Sequence, residues 1–281
     1  MNYRHAYHAG NFADVLKHAV LALILQYMTA KPQPLRVIDV HAGIGSYDLD
    51  SVEAGKTGEW QGGIGRVFGC ELPPEAGALL APYLDAVAAL NGPGQLRRYP
   101  GSPVLARALL RKSDTLVANE LHAEDFALLK GALHGAPNTK ALNLDAWVAL
   151  KSLLPPPERR GLVLIDPPFE APDEFVRLSA GLEEALSRFA SGTYLIWYPI
   201  KDTREVSRFL LDVRGLGLKK VLNVTLAVCA RGTNPGLTET GLLIVNPPYV
   251  LAGQLGRLLP ILSTLMGSGP GAGYTLSDWS A

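Results

Sequence analysis

The chain has 281 residues, of which 48% are hydrophobic and 19% charged, enough apolar material for one large domain or a domain with an insertion. Its 26 basic and 26 acidic residues cancel, and a net charge of zero argues against a protein that coats nucleic acid, although a locally basic cleft stays compatible. Cys70 and Cys229 fit no metal-ligand spacing and no disulfide framework, and the apolar run at 15–25 is too short to span a bilayer. We therefore expect a cytoplasmic globular protein with no membrane segment and no cleaved signal.

Strand-like apolar runs alternate with helix-length patterns through most of the chain. Helices are expected over 12–30, 74–91, 123–131, 173–189 and 203–215. The seven predicted strands are 36–40, 115–119, 141–144, 162–165, 194–197, 221–228 and 242–245. This alternation predicts an α/β fold with a doubly wound, mainly parallel, Rossmann-like sheet. Because a short Gly-rich link rather than a helix joins the last two strands, we expect an antiparallel hairpin there, with the last strand antiparallel to the sheet.

One interval breaks the alternation. Residues 48–100 contain no strong strand where a single strand–helix unit would suffice, and 74–91 is spaced like a helix. We predict that 48–100 is a small, mostly helical insertion into a main domain made of residues 1–47 and 101–281. The Gly-rich stretch 267–273 is expected to be a flexible loop.

The stretch from Gly161 to Phe169 combines a fully apolar strand with an acid, two prolines and an aromatic residue. The prolines fix the backbone and remove two amide donors, so the turn is rigid. Open α/β sheets bind ligands at this carboxyl end of their strands. Asp166 and the Pro167 carbonyl can accept the two N–H hydrogens of an exocyclic amine while Phe169 stacks on the base. The motif resembles the Asp-Pro-Pro-aromatic signature of amino-group methyltransferases that use S-adenosylmethionine.

A second tetrad, from Asn246 to Tyr249, has the same pattern, and either tetrad could be an ordinary turn. Strand order separates them. Asp166 follows the fourth strand, which lies next to the first at the centre of such a sheet. Asn246 follows the antiparallel last strand and would open on the opposite edge. We interpret Asn246 as part of a structural turn.

The ends of the first three strands carry candidate cofactor ligands. Gly43 and Gly45 follow the first strand, where glycine lets the backbone approach a ligand. Glu120 ends the second strand, where an acid can hold a ribose, and Asp145 follows the third, where it can accept from an adenine amino group. Each acid could instead cap a helix. A nicotinamide dinucleotide site is less well supported, because the third glycine and the acid about 20 residues on are absent.

The amino terminus from Tyr3 to His18 crowds three histidines and two tyrosines with Arg4 and Lys17 before a helix. Such side chains can stack on bases and contact phosphate or carboxylate. Their spacing fits no standard metal set, so no metal is expected.

This run and later blocks together resemble the RlmJ family of bacterial 23S (large-subunit) ribosomal RNA adenine-N6 methyltransferases. The blocks are Tyr3 to His18, Asp39 to Tyr47, Gly94 to Pro103, Glu120 to His122, Arg159 to Glu170 and Trp197 to Pro199. They run through the chain in the family's order. Phe169 stands where many members have Tyr, which keeps the stacking face.

The resemblance implies S-adenosylmethionine as cofactor and 23S ribosomal RNA as partner, with no obligate protein partner. It implies cofactor contacts by His18, His41, Ser102, Glu120, Asp145 and Ala146, with Lys17 beside that set; Gly43 joins it from the glycine turn. Asp166 is implied as the catalytic acid at the cofactor, beside Pro167 and Phe169. Tyr3 is implied to contact RNA, and we place Arg4, His5 and the Phe169 ring with it.

Two other functions fit parts of the pattern. A DNA adenine-N6 methyltransferase would share the Asp-Pro-Pro-aromatic motif, and a non-catalytic RNA-binding or assembly factor could keep the fold. We expect some of seven basic residues to bind phosphate: Arg97, Arg98, Arg107, Arg111, Lys112, Arg159 and Arg160.

Overall fold

The computed structural model describes residues 4–233 and 236–279. Its strands are β1 Arg36–Asp39, β2 Ser46–Asp48, β3 Arg98–Pro100, β4 Thr115–Asn119, β5 Thr139–Leu142, β6 Gly161–Ile165, β7 Thr193–Pro199, β8 Val221–Ala227, β9 Glu239–Val245 and β10 Gly273–Asp278. Eight of them form the central sheet in the order β10-β8-β9-β7-β6-β1-β4-β5, and β2 pairs with β3 alone. The α/β prediction is confirmed.

The direction of the strands places β1 and β6 at the centre of a parallel block. β1 pairs in parallel with β4 and β6, β4 with β5, and β6 with β7. β9 is antiparallel to both β7 and β8, as the short link predicts. The carboxyl ends of the five parallel strands therefore open on one edge of the sheet, whereas that of β9 opens on the other.

The sheet has eight strands rather than the predicted seven. The chain beyond the Gly-rich stretch forms β10, which pairs antiparallel with β8 from Gly273 opposite Ala227 to Asp278 opposite Leu222. The prediction of a loop over 267–273 was therefore wrong at Gly273, where this edge strand begins. The strand was missed because an edge strand with no buried residue lacks the apolar run that marks the other strands.

Eleven α-helices accompany the strands in the described part of the chain, after a short 3-10 helix at His5–Tyr7. They are α1 Phe12–Thr29, α2 Val52–Thr57, α3 Glu59–Gly62, α4 Ile64–Val67, α5 Pro74–Ala88, α6 Ser102–Leu109, α7 Ala123–Ala132, α8 Ala146–Leu153, α9 Glu174–Arg188, α10 Thr203–Gly215 and α11 Leu251–Met266. All five predicted helices are confirmed to within three residues at each end. Two apolar cores cover the faces of the sheet. One includes residues of α1, α5, α6 and α11, and the other includes residues of α8, α9 and α10.

Helix α1 is the main buried helix of the first core. The Asn11 side chain caps its start by accepting from the Asp14 amide at 3.0 Å. The helix has 18 residues and is apolar enough by length and composition to cross a membrane, so the shorter run inferred from the sequence was an underestimate. Of its 18 residues, 83% are buried within the protein, so the apolar surface of the helix packs inside the fold.

The segment from β2 to β3 holds helices α2 to α5 and contacts the amino terminus. The Ile64 amide donates to the Gly10 carbonyl at 2.8 Å, and a side chain at Gly63 would lie 2.2 Å from the same oxygen. This close approach requires glycine and joins the segment to the start of α1. The division into a main domain and an insertion stays a prediction.

Candidate active site

A cavity of about 460 Å³ opens where β1, β4, β5 and β6 end. It brings together residues that are as far apart in the chain as His5 and Leu237. Of the residues singled out in the sequence, its lining includes His5, Lys17, His18, His41, Gly43, Ser102, Glu120, Asp145, Ala146, Asp166, Pro167 and Phe169. The motifs that the sequence spaces widely therefore form one site.

The Asp-Pro-Pro-Phe turn forms one wall of the cavity. It follows β6, whose five residues are all buried. The Asp166 amide donates to His41 Nδ1 at 3.2 Å, which ties the turn to the end of β1. Phe169 has a φ of 49°, in the left-handed region, and its ring lies 5.7 Å from Trp197 and 4.7 Å from Phe175 between centroids. The aromatic contacts fix the orientation of a ring that the backbone holds in an uncommon conformation.

Lys17 connects the Asp-Pro-Pro-Phe turn to the start of α1. Its Nζ atom contacts an Asp166 carboxylate oxygen and lies 2.8 Å from Asp14 Oδ1. Burial disfavours the ammonium, but the two carboxylates outweigh it, and the pKa of Lys17 is raised. Asp14 also accepts from Gly10 N at 2.9 Å and pairs with His5 Nε2 at 2.8 Å. Lys17 is thus a charged group that holds the Asp166 carboxylate in place.

Glu120 receives two amides at the tip of β4. Gly43 N donates to its Oε2 at 2.9 Å, and His122 N donates to its Oε1 at 2.8 Å. Burial raises the pKa of Glu120, although these two hydrogen bonds lower it in part. The carboxylate is therefore fixed in one orientation against the glycine turn, with lone pairs left for a ligand.

Asp145 both caps a helix and lines the cavity, so the two interpretations that the sequence left open are compatible in position. Its Oδ1 caps α8 by accepting from the amides of Trp147 at 3.0 Å and Val148 at 3.2 Å. Its Oδ2 lies 3.5 Å from an Arg177 nitrogen in the lining of the cavity. Ala146 begins the helix directly after it. Capping uses one oxygen, so the other stays available to a ligand.

A buried carboxylate that sequence reasoning missed lies beneath the site. Asp39, at the end of β1, accepts from Ser102 Oγ at 2.6 Å and from the His41 amide at 3.2 Å. Burial raises the pKa of Asp39 to about 7. It positions two of the candidate cofactor ligands. The sequence block that contains Asp39 was noted, but its partner Ser102 lies 63 positions away.

Burial keeps two of the histidines that line the cavity, His18 and His41, neutral. Burial lowers the pKa of His18 to about 3, and enclosure lowers that of His41 to about 4. His41 Nδ1 accepts the Asp166 amide, so its hydrogen is on Nε2. His18 Nδ1 lies 2.7 Å from the Tyr99 hydroxyl, and its Nε2 has no hydrogen-bond partner among the described residues.

The substrate residues proposed at the amino terminus are only partly placed in the cavity. Tyr3 lies outside the described residues. His5 lines the cavity, whereas Arg4 is exposed and pairs with Glu124 and, at 3.7 Å, with Asp125. Residues lining the cavity that the sequence did not single out include Trp147, Glu174 and Arg177. A side chain on a helix face gives no local signal that it points into a cleft.

Three of the seven basic residues proposed for phosphate have structural partners instead. Arg107, Arg111 and Arg160 donate to backbone carbonyls of neighbouring loops, and Arg111 also pairs with Asp114 at 2.8 Å. These loops flank the amino ends of β1, β4 and β6, at the edge opposite the cavity. Bonds to the protein use part of each of these guanidinium groups, which argues against phosphate as their main partner, although phosphate binding at the three stays untested. For the other four it stays a prediction.

The second Pro-Pro motif is a turn, as its strand position predicts. Asn246 has a φ of 50°, and its Nδ2 donates to the carbonyls of Ala190 and Gly192, both at 2.8 Å. It follows antiparallel β9 and does not line the cavity. Within residues 4–233 and 236–279, no group of three or more His, Cys, Asp or Glu residues is placed to hold a metal ion.

The parallel sheet, the acids at successive strand ends and the Asp-Pro-Pro-Phe turn define a methyltransferase of the Rossmann-like class. A probable spermidine synthase from Corynebacterium glutamicum shares the fold alone, with a TM-score of 0.50 at 14% identity over 96% of this chain and 76% of that one. A crystal structure of a Legionella pneumophila protein is far more similar. It superposes with a TM-score of 0.89 at 35% identity, covering 96% of this chain and 98% of that one.

Comparison of sequences identifies the family. The family model described as "Ribosomal RNA large subunit methyltransferase D, RlmJ" matches residues 32–281. The chain is 41% identical to ribosomal RNA large subunit methyltransferase J of Escherichia coli, over 99% of this chain and 98% of that protein. It is 40% identical to the protein of the same name from Haemophilus influenzae, over 97% and 96%. The chain belongs to the RlmJ family, and the resemblance seen in its motifs is confirmed.

Proposed function

We propose that this protein transfers the methyl group of S-adenosylmethionine to N6 of a specific adenine in 23S ribosomal RNA, in the cytoplasm. The observation that carries the proposal is the position of Asp166, Pro167 and Phe169 at the end of a central strand, facing the same cavity as Glu120 and Asp145. The names of the E. coli and H. influenzae relatives support ribosomal RNA of the large subunit as substrate.

The hydrogen-bond donors and acceptors that line the cavity fit the cofactor. Asp145 would accept from the adenine amino group and Glu120 from the ribose hydroxyls. Ala146 and Gly43 would form backbone walls, and His41 Nε2–H would donate. The unpaired His18 Nε2 is a buried polar atom that a ligand would satisfy. Bound here, S-adenosylmethionine supplies a methyl group on a positively charged sulfur.

The Asp-Pro-Pro-Phe turn supplies the hydrogen-bond acceptors and the stacking ring that would activate N6 of an adenine. This nitrogen is a poor nucleophile, because its lone pair is delocalised into the ring. Hydrogen bonds from N6–H to the Asp166 carboxylate and the Pro167 carbonyl favour a pyramidal nitrogen and stabilise its developing positive charge. Phe169 stacks on the base, and holding the two reactants in line can account for roughly 7–11 kcal/mol of the barrier.

The base must leave its stack to reach the turn, which costs a few kcal/mol and is easiest in unpaired RNA. The amino terminus lies beside the route, because His5 lines the cavity and Arg4 is exposed near it. We place Tyr3, Arg4 and His5 at the RNA, with the Phe169 ring against the base.

Methyl transfer from labelled S-adenosylmethionine tests the substrate. The acceptors are protein-free unmodified 23S ribosomal RNA, small-subunit RNA and adenine-containing duplex DNA, and the product is identified after nuclease digestion. We expect N6-methyladenosine at one position of 23S RNA. Label found only in DNA would replace the RNA assignment. Cofactor binding without transfer to any acceptor would favour a non-catalytic RNA-binding factor.

A further inference from the structure

Two buried tyrosines continue the hydrogen bonding of His18 away from the cavity. The Tyr99 hydroxyl lies 2.7 Å from His18 Nδ1, and the Tyr83 hydroxyl lies 2.9 Å from that of Tyr99. The His18 and Tyr99 rings stack at 5.4 Å with an angle of 21°. Both tyrosines are fully buried, and burial raises their pKa values, so each keeps its hydroxyl hydrogen. The chain of three groups ends at His18 Nε2, in a residue that lines the cavity.

Counting hydrogens decides the direction of this chain. If Tyr83 donates to Tyr99 and Tyr99 donates to His18 Nδ1, every hydroxyl hydrogen has an acceptor. In the opposite direction, the Tyr83 hydrogen would be buried with no acceptor among the described residues, which is unfavourable because a buried donor without a partner loses its hydrogen bond to water. Tyr83 therefore donates to Tyr99, and Tyr99 donates to His18 Nδ1. This direction leaves neutral His18 with a bare Nδ1 and its single hydrogen on Nε2.

We propose that the Tyr83–Tyr99 hydroxyl pair holds His18 as the Nε2–H tautomer, which makes this wall of the cavity a hydrogen-bond donor that recognises the cofactor's carboxylate. This inference rests on the proposed function, since it concerns the same ligand. If Asp145 holds the adenine and Glu120 the ribose, the amino-acid end of the ligand would be left to the part of the lining formed by His18 of α1 and Ser102 of α6. The carboxylate is the strongest hydrogen-bond acceptor of the ligand's amino-acid end. Neutral His18 can donate the hydrogen on Nε2 to it. Tyr99 and Tyr83 are positioning residues that touch no substrate.

Cofactor binding by Tyr99→Phe tests the proposal without any turnover. This variant keeps the ring that stacks on His18 and removes only the hydroxyl. Dissociation constants are measured by calorimetry for S-adenosylmethionine and for its decarboxylated analogue. We expect Tyr99→Phe to weaken binding of the complete cofactor by roughly fivefold or more, the range of one hydrogen bond, and to leave the analogue within about twofold.

Tyr194→Phe is the matched control. Its hydroxyl is equally buried and donates to the carbonyls of Ala185 and Phe189, away from the cavity. Removing it tests the loss of a buried hydroxyl by itself, and we expect no change in either dissociation constant. Equal weakening of both ligands by Tyr99→Phe, or no weakening, would overturn the proposal. A wild type that binds neither ligand would instead overturn the proposed function.

The tautomer can be read directly in the wild-type protein. Nitrogen-15 NMR separates a ring nitrogen that carries hydrogen from one that does not. We expect hydrogen on His18 Nε2 and a bare Nδ1. Hydrogen on Nδ1 would overturn the proposal even if Tyr99→Phe failed to fold.

Discussion

Lys17 lies between two carboxylates, in contact with Asp166 and 2.8 Å from Asp14. Its side chain is 5% exposed and that of Asp14 only 2%. We predict that Lys17→Met lowers the free energy of unfolding by about 3–5 kcal/mol, because it leaves the buried Asp14 carboxylate with too little compensating charge. Urea unfolding measures the loss.

Lys151→Met is the control for Lys17, since it removes an exposed lysine that pairs with Glu184 at 3.3 Å. We expect Lys151→Met to lower the free energy of unfolding by less than about 1 kcal/mol. Equal losses in the two variants would contradict the structural role of Lys17.

Asp39 gives the stability of the protein a distinct pH dependence. Its folded-state pKa of about 7 lies above the ordinary aspartate value of 3.8, because burial disfavours the charged form. Between about pH 4 and 7 the folded state binds more protons than the unfolded state, so this contribution to stability is lost as the pH rises. We predict that Asp39→Asn gains stability relative to wild type by about 1–3 kcal/mol between those two limits.

The measurement for Asp39 is urea unfolding at both ends of that pH range. Asp212→Asn, an exposed carboxylate on α10, is the control and should track wild type at both. A difference between Asp39→Asn and wild type that does not depend on pH would contradict the buried, protonated carboxyl.

At the scale of elements, two adjacent glycines test how the β2–β3 segment joins the amino terminus. A Cβ at Gly63 would lie 2.2 Å from Gly10 O and 2.4 Å from Asn11 C, whereas one at Gly62 would meet nothing within 4 Å. We predict that Gly63→Ala costs about 2 kcal/mol or more and disturbs the cap of α1. Thermal unfolding should show Gly62→Ala as neutral or slightly stabilised, and identical behaviour of the pair would refute the close contact.

The turn after β9 tests which Pro-Pro motif carries the chemistry. Asn246 adopts a left-handed conformation and satisfies two carbonyls. We predict that Asn246→Ala lowers the free energy of unfolding by about 1–3 kcal/mol and leaves the dissociation constant for S-adenosylmethionine unchanged. A variant that folds with wild-type stability but loses methyl transfer would show that Asn246 belongs to the active site.

Local patterns predicted the elements that carry a strong periodic signal. The seven strands and five helices were readable because buried parallel strands are continuous apolar runs and helices repeat every three to four residues. Strand β10 and the short helices α2 to α4 were not, since an exposed edge strand and helices of four to six residues have no such repeat. The sequence also could not show that Arg107 and Arg111 lie at the edge of the sheet opposite the cavity, because the fold brings their carbonyl partners to them.

At the scale of the whole molecule, the order of the strands determined the candidate site. Asp166, Glu120 and Asp145 were predicted to meet because each follows a parallel strand, and the structure places all three in one lining. The contacts among the side chains could not be predicted from the sequence. Asp39 with Ser102, Lys17 with Asp166 and Tyr83 with Tyr99 depend on packing between helices and sheet, which has no signature in a single chain.

The central claim is that methyl transfer takes place at Asp166. The most direct test is the single-turnover rate of methyl transfer to protein-free 23S ribosomal RNA by wild type and Asp166→Asn, with cofactor affinity measured in parallel. We predict a rate loss of at least about 100-fold, because the amide cannot stabilise the positive charge that develops on N6, together with a far smaller change in cofactor affinity. Transfer by Asp166→Asn at the wild-type rate would contradict the account.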